Sequence, residues 1–264
     1  MKQFILKKEP ENNAVRLEGN DYHYLVHVRR LAVGECFPAL LPNGSQTLVQ
    51  ILSIDRGILA GKCSSPLTVA ESNLPPVILL QALPKGEKMD LIVRQAAEGG
   101  IGEIIPFVSE FSLPKTGMGG QKFSRWERII REARQQSGSK TATALRPPMT
   151  EREFFDHWKQ LKTDGALGLL FHHQETGGAD PLENKSLHRY LNSVPSSVVL
   201  AIGPEGGFSD KEVALFMENG FNTITIGDTV LRTETAALYF AAAIRILLLE
   251  RDSWELKQAK PDSE

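Results

Sequence analysis

Cysteine and uninterrupted apolar sequence are both scarce in this chain. Its two cysteines, Cys36 and Cys63, are too far apart for a Cys-x-x-Cys site and too few for a disulfide framework in 264 residues. The longest late apolar run, 236–249, is interrupted by Arg245, which argues against a transmembrane helix. The apolar part of residues 1–8 is too short for a signal peptide. We therefore expect a cytoplasmic protein that does not associate with a membrane.

A strong charge of one sign is missing too, as are the common nucleotide-binding motifs. The net charge is only −2, so overall charge predicts no nucleic-acid partner and any phosphate-binding cations must be found locally. A Walker loop is absent, and the chain lacks a Gly-x-Gly-x-x-Gly fingerprint at the expected place. His23 and His27 are four positions apart, but no further ligands accompany them. We expect no metal site.

The spacing of apolar residues and turn signals changes along the chain. Up to about residue 68, short apolar pieces alternate with turns, and Asn43-Gly44 predicts a hairpin. This pattern is typical of a small β-barrel or sandwich, with one short helix near 23–31. Beyond a polar linker, strands and helices alternate, which predicts an open parallel α/β sheet. We expect domains at 1–72 and 73–252 and a polar tail at 253–264.

The last quarter carries two glycine- and threonine-rich turns, each between a predicted strand and a predicted helix. The strand 198–202 ends in Gly203-Pro204-Glu205-Gly206-Gly207, and a second strand, 223–226, leads into 230–237. Three glycines in five positions let a backbone approach a ligand closely and leave its N–H groups available. Two such loops predict a small-molecule pocket at the ends of parallel strands. Ser209 and Glu212 form a capping box that starts the next helix.

Basic residues collect in the middle of the chain. Between Lys85 and Arg146 there are eleven Lys and Arg against seven Asp and Glu. Four arginines recur every three positions along one predicted helix: Arg125, Arg128, Arg131 and Arg134. One interpretation is a solvated helix face with Glu127 and Glu132 as ion-pair partners, and the other is a phosphate-binding surface.

Several segments together resemble the RsmE family of 16S ribosomal RNA (uracil-N3) methyltransferases, in the SPOUT superfamily. The strongest matches are the 203–209 loop and Leu231-Arg232-Thr233-Glu234-Thr235-Ala236. Lys85-Gly86-Glu87-Lys88-Met89 and the stretch from His23 to Gly34 are similar as well. The resemblance therefore covers nearly the whole chain.

Membership of that family implies the architecture. It implies a small N-terminal PUA-like β-barrel that binds RNA, followed by a SPOUT α/β domain with a parallel sheet and a trefoil knot. It also implies a homodimer with S-adenosylmethionine as cofactor. The cofactor-binding positions would be Leu200, Ile202, Gly203, Pro204, Gly206, Gly207, Ile226, Gly227, Leu231, Thr233, Thr235 and Ala236.

The implied reaction is methylation of N3 of a uridine in small-subunit ribosomal RNA. Arg232 is the candidate that stabilises the uracil anion, because a guanidinium stays charged. Glu205 and Glu234 are both candidates for the base or for the group that orients Arg232, and spacing does not choose between them. The candidate RNA-binding residues are Arg29, Arg30, Lys85, Lys88, Arg94, Arg128, Arg131, Arg134 and Lys140.

The chain departs from the family pattern at three places on the expected RNA side. Gln95 stands where similar proteins usually carry lysine, Phe111 where they carry arginine, and Ser139 near another expected arginine. These departures leave open which uridine or RNA is methylated. The alternatives are a SPOUT methyltransferase that acts on another RNA, such as transfer RNA, and a non-catalytic RNA-binding factor of ribosome assembly.

Overall fold

A computed structural model describes residues 4–42, 44–64, 74–112, 120–172, 187–225 and 229–258, with the backbone alone from 251 to 258. The chain forms two compact units. The first comprises Met1–Glu71 with Arg134–Ala142, and the second comprises Ser72–Ala133 with Thr143–Glu264.

The first unit is built on a five-stranded sheet. Its described elements are β1 (Phe4–Ile5), β2 (Ala14–Glu18), α1 (Gly19–His23), β3 (Cys36–Leu40), β4 (Gln46–Asp55) and β5 (Ile58–Cys63). The strand order is β1-β3-β4-β5-β2, and every neighbouring pair is antiparallel except β1 with β3. A π-helical turn, Tyr24–Val28, continues α1, so this helical segment begins earlier than the sequence predicted.

Alternation of apolar residues gives this sheet its core. Phe37 on β3 and Leu59 on β5 are fully buried together with Leu25 of the π-helical turn. The predicted hairpin is confirmed, because β3 and β4 pair with Leu40 opposite Gln46. Asn43 itself lies outside the described residues.

The second unit is a six-stranded, wholly parallel sheet with helices on both faces, which confirms the predicted α/β class. Its first half contains β6 (Val77–Ala82), α2 (Lys88–Glu98), β7 (Glu103–Phe107), the helix α3 (Gly120–Ser137), β8 (Ala144–Leu145) and α4 (Glu151–Thr163). Its second half contains β9 (Leu167–Phe171), α5 (Leu187–Tyr190), β10 (Val198–Ile202), α6 (Asp210–Glu218), β11 (Asn222–Ile224) and α7 (Thr233–Gln258). The order is β11-β9-β10-β6-β7-β8.

The two central strands of this sheet, β6 and β10, are buried at every residue, because helices cover both faces. One face packs against α2, α3 and α7, and the other packs against α4 and α6. On the first face, Arg245 of α7 donates a hydrogen bond to the carbonyl oxygen of Gly100 at 2.8 Å, just beyond the end of α2. The arginine that interrupts the apolar run therefore ties α7 to α2.

The helix α4 was not predicted from the sequence. It starts with a capping box in which the Thr150 side chain accepts from the Glu153 backbone N–H and Glu153 accepts from that of Thr150. Trp158 of α4 is buried, and its indole Nε1–H donates to the Asn219 carbonyl at 3.0 Å. This contact fixes α4 against the end of α6, whose own predicted capping box is confirmed.

Candidate active site

A cavity of about 360 Å³ opens at the carboxyl ends of β9 and β10. One loop, 203–209, runs from β10 to α6, and the other leads from β11 to α7. A volume in this range is typical of small-molecule sites. The lining residues are Lys88, Phe171, His172, Ile202, Gly203, Pro204, Glu205, Gly207, Val230, Leu231, Arg232, Thr233 and Ala236.

The first loop is a tight turn in which the backbone at Gly203 lies close to the backbone at Gly207 and Phe208. The Gly207 N–H donates to the Pro204 carbonyl at 3.0 Å, and Gly207 has a φ of +70°, which favours glycine. A Cβ added to Gly203 would lie 3.0 Å from the carbonyl carbon of Gly207 and 3.1 Å from the Phe208 nitrogen. A side chain at position 203 would therefore require the backbone of this loop to shift by a few tenths of an ångström.

A buried hydrogen-bond chain joins this loop to α7 and to β6. The Thr233 hydroxyl donates to the Gly203 carbonyl at 2.6 Å and accepts from Gln81 Nε2 at 3.0 Å. Gln81, at the penultimate position of β6, is fully buried. Because Gly203 and Thr233 both line the cavity, one hydroxyl fixes the separation of its two walls.

Replacing Thr233 by Val should weaken both the fold and ligand binding. Valine has a similar shape but removes the hydroxyl that donates to the Gly203 carbonyl and leaves Gln81 Nε2 with the Ala82 carbonyl as its remaining acceptor. Loss of these buried hydrogen bonds costs about 1–3 kcal/mol of unfolding free energy. Chemical denaturation of Thr233→Val measures that loss, and Thr233→Ser, which keeps the hydroxyl, is the matched control. Equal stability of the two variants would contradict the proposed hydrogen-bond chain.

A lysine and two glutamates form the charged part of the site. Lys88 Nζ lies 2.8 Å from Glu205 Oε1 and 3.6 Å from Glu234 Oε2. The Lys85 backbone N–H also donates to both carboxylate oxygens of Glu205, at 3.1 and 3.2 Å. Lys88, at the start of α2, thus links the first loop, through Glu205, to the first turn of α7, through Glu234.

These contacts keep Glu205 ionised. Burial acts to raise the pKa of Glu205, but hydrogen bonds from Lys88 and from backbone N–H groups outweigh it and hold the pKa below its ordinary 4.5. The hydrogen bond to Glu205 raises the pKa of Lys88 above 10.5. Glu205 with this pKa is a weak base whose oxygens already accept hydrogen bonds, so its geometry suits anchoring of the loop.

The stabilising effect of Glu205 should depend on pH in a defined direction. A lowered carboxyl pKa contributes stability above the unfolded value of 4.5 and loses it as the pH falls through the folded value. The melting temperature of wild type should exceed that of Glu205→Gln at neutral pH, and the difference should vanish in acid. Thermal melts across pH, with Glu98→Gln as an exposed control, measure it. A difference that persists below the folded pKa would contradict the ion pair.

Arg232 is placed at the mouth of the cavity. It precedes α7, where its carbonyl accepts from the Ala236 N–H at 2.8 Å, and its side chain is exposed and lines the site. Its guanidinium makes no ion pair with any described carboxylate, and Glu234 turns to Lys88 instead. In this structure both glutamates therefore pair with Lys88 and not with Arg232.

The structure brings most of the candidate cofactor residues together. Seven of them line the cavity: Ile202, Gly203, Pro204, Gly207, Leu231, Thr233 and Ala236. Leu200 is buried within the sheet, while Gly206 and Thr235 are exposed outside the cavity lining. Ile226 and Gly227 lie outside the described residues. Residues from both predicted loops therefore line the same cavity.

Sequence reasoning missed several residues of the site. Phe171 and His172 line the cavity because β9 pairs with β10, a pairing that no local pattern reveals. Lys88 was assigned to RNA binding alone, yet it lines the cavity. Gln81 carried a usable signal, since a glutamine that ends an apolar strand is a candidate for a buried, hydrogen-bonded role.

The candidate RNA-binding cations divide by exposure. Five are exposed: Arg30, Lys85, Arg94, Arg128 and Lys140. Arg29, Lys88 and Arg131 are partly buried. On α3, Arg125 lies 2.5 Å from Asp90 and Arg128 lies 3.9 Å from Glu132, so two arginines of the stripe have acidic partners.

Arg134 corrects the expectation of one exposed arginine stripe. Its residue exposure is only 6%, and its Nε and Nη2 atoms make no hydrogen bond within the described part of the chain. Burial lowers its pKa. An α-helix turns by about 100° per residue, so steps of three drift by about 60° and place Arg125 and Arg134 on opposite sides. The stripe therefore winds from the surface into the interior.

Two features are absent from the described residues. No described helix is long and apolar enough to cross a membrane. Within the same part of the chain, no group of three or more His, Cys, Asp or Glu side chains is placed to hold a metal ion.

Comparison with known families identifies the class of this α/β protein as an RNA methyltransferase. The family model of the RNA methyltransferase domain matches residues 70–245. A ribosomal RNA small subunit methyltransferase E from Synechocystis sp. is 33% identical over 238 residues, which cover 89% of this chain and 73% of the relative. The chain belongs to the family of these methyltransferases, RsmE.

Solved structures agree with this assignment. A methyltransferase from Legionella pneumophila, described in complex with the bound cofactor SAM, is 27% identical with a TM-score of 0.71, covering 94% of this chain and 95% of that one. A ribosomal RNA small subunit methyltransferase E from Neisseria gonorrhoeae has a TM-score of 0.75 at 24% identity, covering 94% and 98%. The second likeness shows the fold.

Proposed function

We propose that this protein transfers a methyl group from S-adenosylmethionine to N3 of a uridine in 16S ribosomal RNA of the small subunit. The observation that carries the proposal is the cavity between the two loops, with Arg232 and Lys88 at its edge. Membership of the RsmE family supports the substrate class. The protein would act in the cytoplasm.

The residues of the cavity fit the proposed cofactor. The turn at Gly203 has no side chain between its backbone and that of Gly207, so its backbone groups are accessible at the cavity wall. Ile202, Leu231 and Ala236 offer apolar contact to an adenine ring. The Legionella relative was solved with this cofactor bound. When bound, S-adenosylmethionine supplies a methyl group on a positively charged sulfur, which is open to attack by a nucleophile.

The protein's own task is to prepare the nucleophile. N3 of uridine carries a proton at neutral pH, and as the N3–H bond breaks, negative charge spreads onto the neighbouring carbonyl oxygens. Arg232, exposed at the mouth of the cavity, would donate to one of those oxygens and stabilise the anion. Held in this way, N3 would present its lone pair to the methyl group that the bound cofactor would supply.

Of the two carboxylates, Glu234 suits proton acceptance better than Glu205. Glu205 already accepts hydrogen bonds from Lys88 and from the Lys85 backbone. Glu234 Oε2 is buried and makes no hydrogen bond within the described residues, although Lys88 lies 3.6 Å away. We assign Glu205 to anchoring of the loop and Glu234 to proton acceptance, directly or through water.

The RNA would be held by cations that remain exposed. Lys85 and Arg94 of the second unit and Arg30 and Lys140 of the first are free to reach phosphates, whereas Arg134 is buried. In the first unit, the five-stranded sheet is consistent with a PUA-like barrel that contributes such contacts. Arg29, Arg128 and Arg131 stay secondary candidates.

A homodimer and a trefoil knot complete the proposal. The outer side of α7 exposes Leu238, Tyr239, Ile246 and Leu249, an apolar surface that a second subunit would cover. The path of the chain supports the knot, because α7 follows the edge strand β11 in sequence but packs against the central strands β6 and β10.

Calorimetric titration with S-adenosylmethionine, followed by transfer of labelled methyl, tests the function. Purified small subunits, free 16S ribosomal RNA and transfer RNA are offered in parallel, because each distinguishes a different activity. Label on the small subunit or its RNA supports the proposal, and label on transfer RNA moves the assignment to another SPOUT activity. Failure to bind the cofactor would favour a non-catalytic RNA-binding factor.

A further inference from the structure

A solvent-exposed aromatic side chain stands beside the glycine loop but outside the cavity. Phe111 is 46% exposed, and a Cβ built on Gly206 would lie 3.5 Å from its Cβ and Cδ2 atoms. The ring therefore packs against the backbone of the loop, and close to half of its surface remains open. Phe111 is not among the residues that line the cavity.

A buried glutamate holds the backbone that precedes Phe111, and hydrogen bonds between Ser109 and Ser112 close the turn around it. Glu212, only 4% exposed, accepts from the Ser109 hydroxyl at 3.1 Å and from the Glu110 backbone N–H at 3.0 Å. Ser112 is fully buried, and its hydroxyl accepts from the Ser109 N–H at 3.2 Å. Glu212 lies in the first turn of α6, directly after the glycine loop. The position of Phe111 is therefore fixed relative to that loop.

The open surface of this ring suits a nucleobase. Proteins recognise RNA mainly at unpaired bases, which they stack on aromatic side chains, and every base offers a flat apolar surface for this contact. Methylation at N3 requires an unpaired uridine, because N3 lies on the edge used in base pairing. When that uridine leaves the stack, a neighbouring base loses one stacking partner, and an aromatic ring can cover the face that is exposed.

We propose that Phe111 stacks on a base of the RNA substrate that neighbours the methylated uridine. This inference rests on the proposed function, since it places RNA at the mouth of the cavity. The ring lies outside the cavity, so it would contact a flanking base and not the reacting one. Phe111 would thus contribute to the choice of RNA sequence.

Kinetics of three variants test the stacking. Phe111→Ala should raise the KM for RNA by about 5- to 150-fold, while the Kd for S-adenosylmethionine stays unchanged. Phe111→Tyr keeps a ring and should match wild type, whereas Phe111→Leu keeps apolar bulk without a ring and should resemble Phe111→Ala. Met217→Ala, which shortens an exposed apolar side chain of α6, is the control for surface truncation.

A fluorescence measurement separates this inference from the proposed function. An RNA that carries 2-aminopurine beside the target uridine should lose fluorescence on binding wild type, and Phe111→Leu should abolish that loss. This fluorescence change does not depend on methyl transfer. A protein that shows it but transfers no methyl group would refute the proposed function and still support the stacking. Wild-type behaviour of Phe111→Leu, or a changed oligomeric state or cofactor affinity in Phe111→Ala, would overturn the inference.

Discussion

Replacing Arg232 by Ala should lower the rate of methyl transfer by about 10²- to 10³-fold, the usual effect of removing one donor that stabilises a developing anion. Cofactor affinity should change little, because Arg232 is exposed at the mouth of the cavity and the loop turns are held by other groups. A single-turnover assay at saturating cofactor measures the chemical step, and calorimetry measures the affinity.

Two further variants sharpen this test. Arg232→Lys keeps the positive charge without the planar pair of donors, so it should recover only part of the lost rate. Arg152→Ala removes an exposed arginine from α4 and should leave the rate unchanged. Intact methyl transfer by Arg232→Ala, with normal cofactor binding, would eliminate the proposed role.

Replacing Gly203 by Ala should have the second largest effect, on cofactor binding. The added Cβ would lie 3.0–3.1 Å from the backbone of Gly207 and Phe208, so the loop backbone must shift by a few tenths of an ångström. Because this loop forms one wall of the cavity, the shift should weaken cofactor binding by roughly 5- to 150-fold, which corresponds to about 1–3 kcal/mol. Calorimetric titration with S-adenosylmethionine measures the change.

Gly120→Ala is the matched control for that substitution. A Cβ at Gly120 would meet no atom within 4 Å, and this glycine begins α3, away from both loops. Its cofactor affinity should equal that of wild type. Equal affinity of Gly203→Ala and wild type would show that the tight turn does not shape the binding site.

Features fixed by local chemistry could be predicted from the sequence. The hairpin followed from the Asn43-Gly44 turn signal, the start of α6 from the capping pair Ser209 and Glu212, and the pocket loops from their glycine content. The helix α4 was missed, although Thr150 and Glu153 form an equivalent capping box. The spacing of these two residues is therefore a sequence signal for the start of α4.

Features set by long-range pairing could not be predicted in this way. The order β11-β9-β10-β6-β7-β8 brings Phe171 of β9 to the cavity, and no sequence spacing shows which strands are neighbours. The same holds for Lys88, which reaches Glu205 and Glu234 across the site. Arg134 shows the opposite error, since a regular spacing of three suggested one face where the helix geometry gives two.

The most direct test is to locate the methyl group. Small subunits are incubated with the protein, with and without S-adenosylmethionine, and the 16S ribosomal RNA is then copied by reverse transcriptase. A methyl group on N3 blocks base pairing, so one cofactor-dependent stop at a uridine is expected, and nucleoside digestion should release 3-methyluridine. Cofactor-dependent methylation at another atom or another RNA, or none at all despite bound cofactor, would contradict the proposed function.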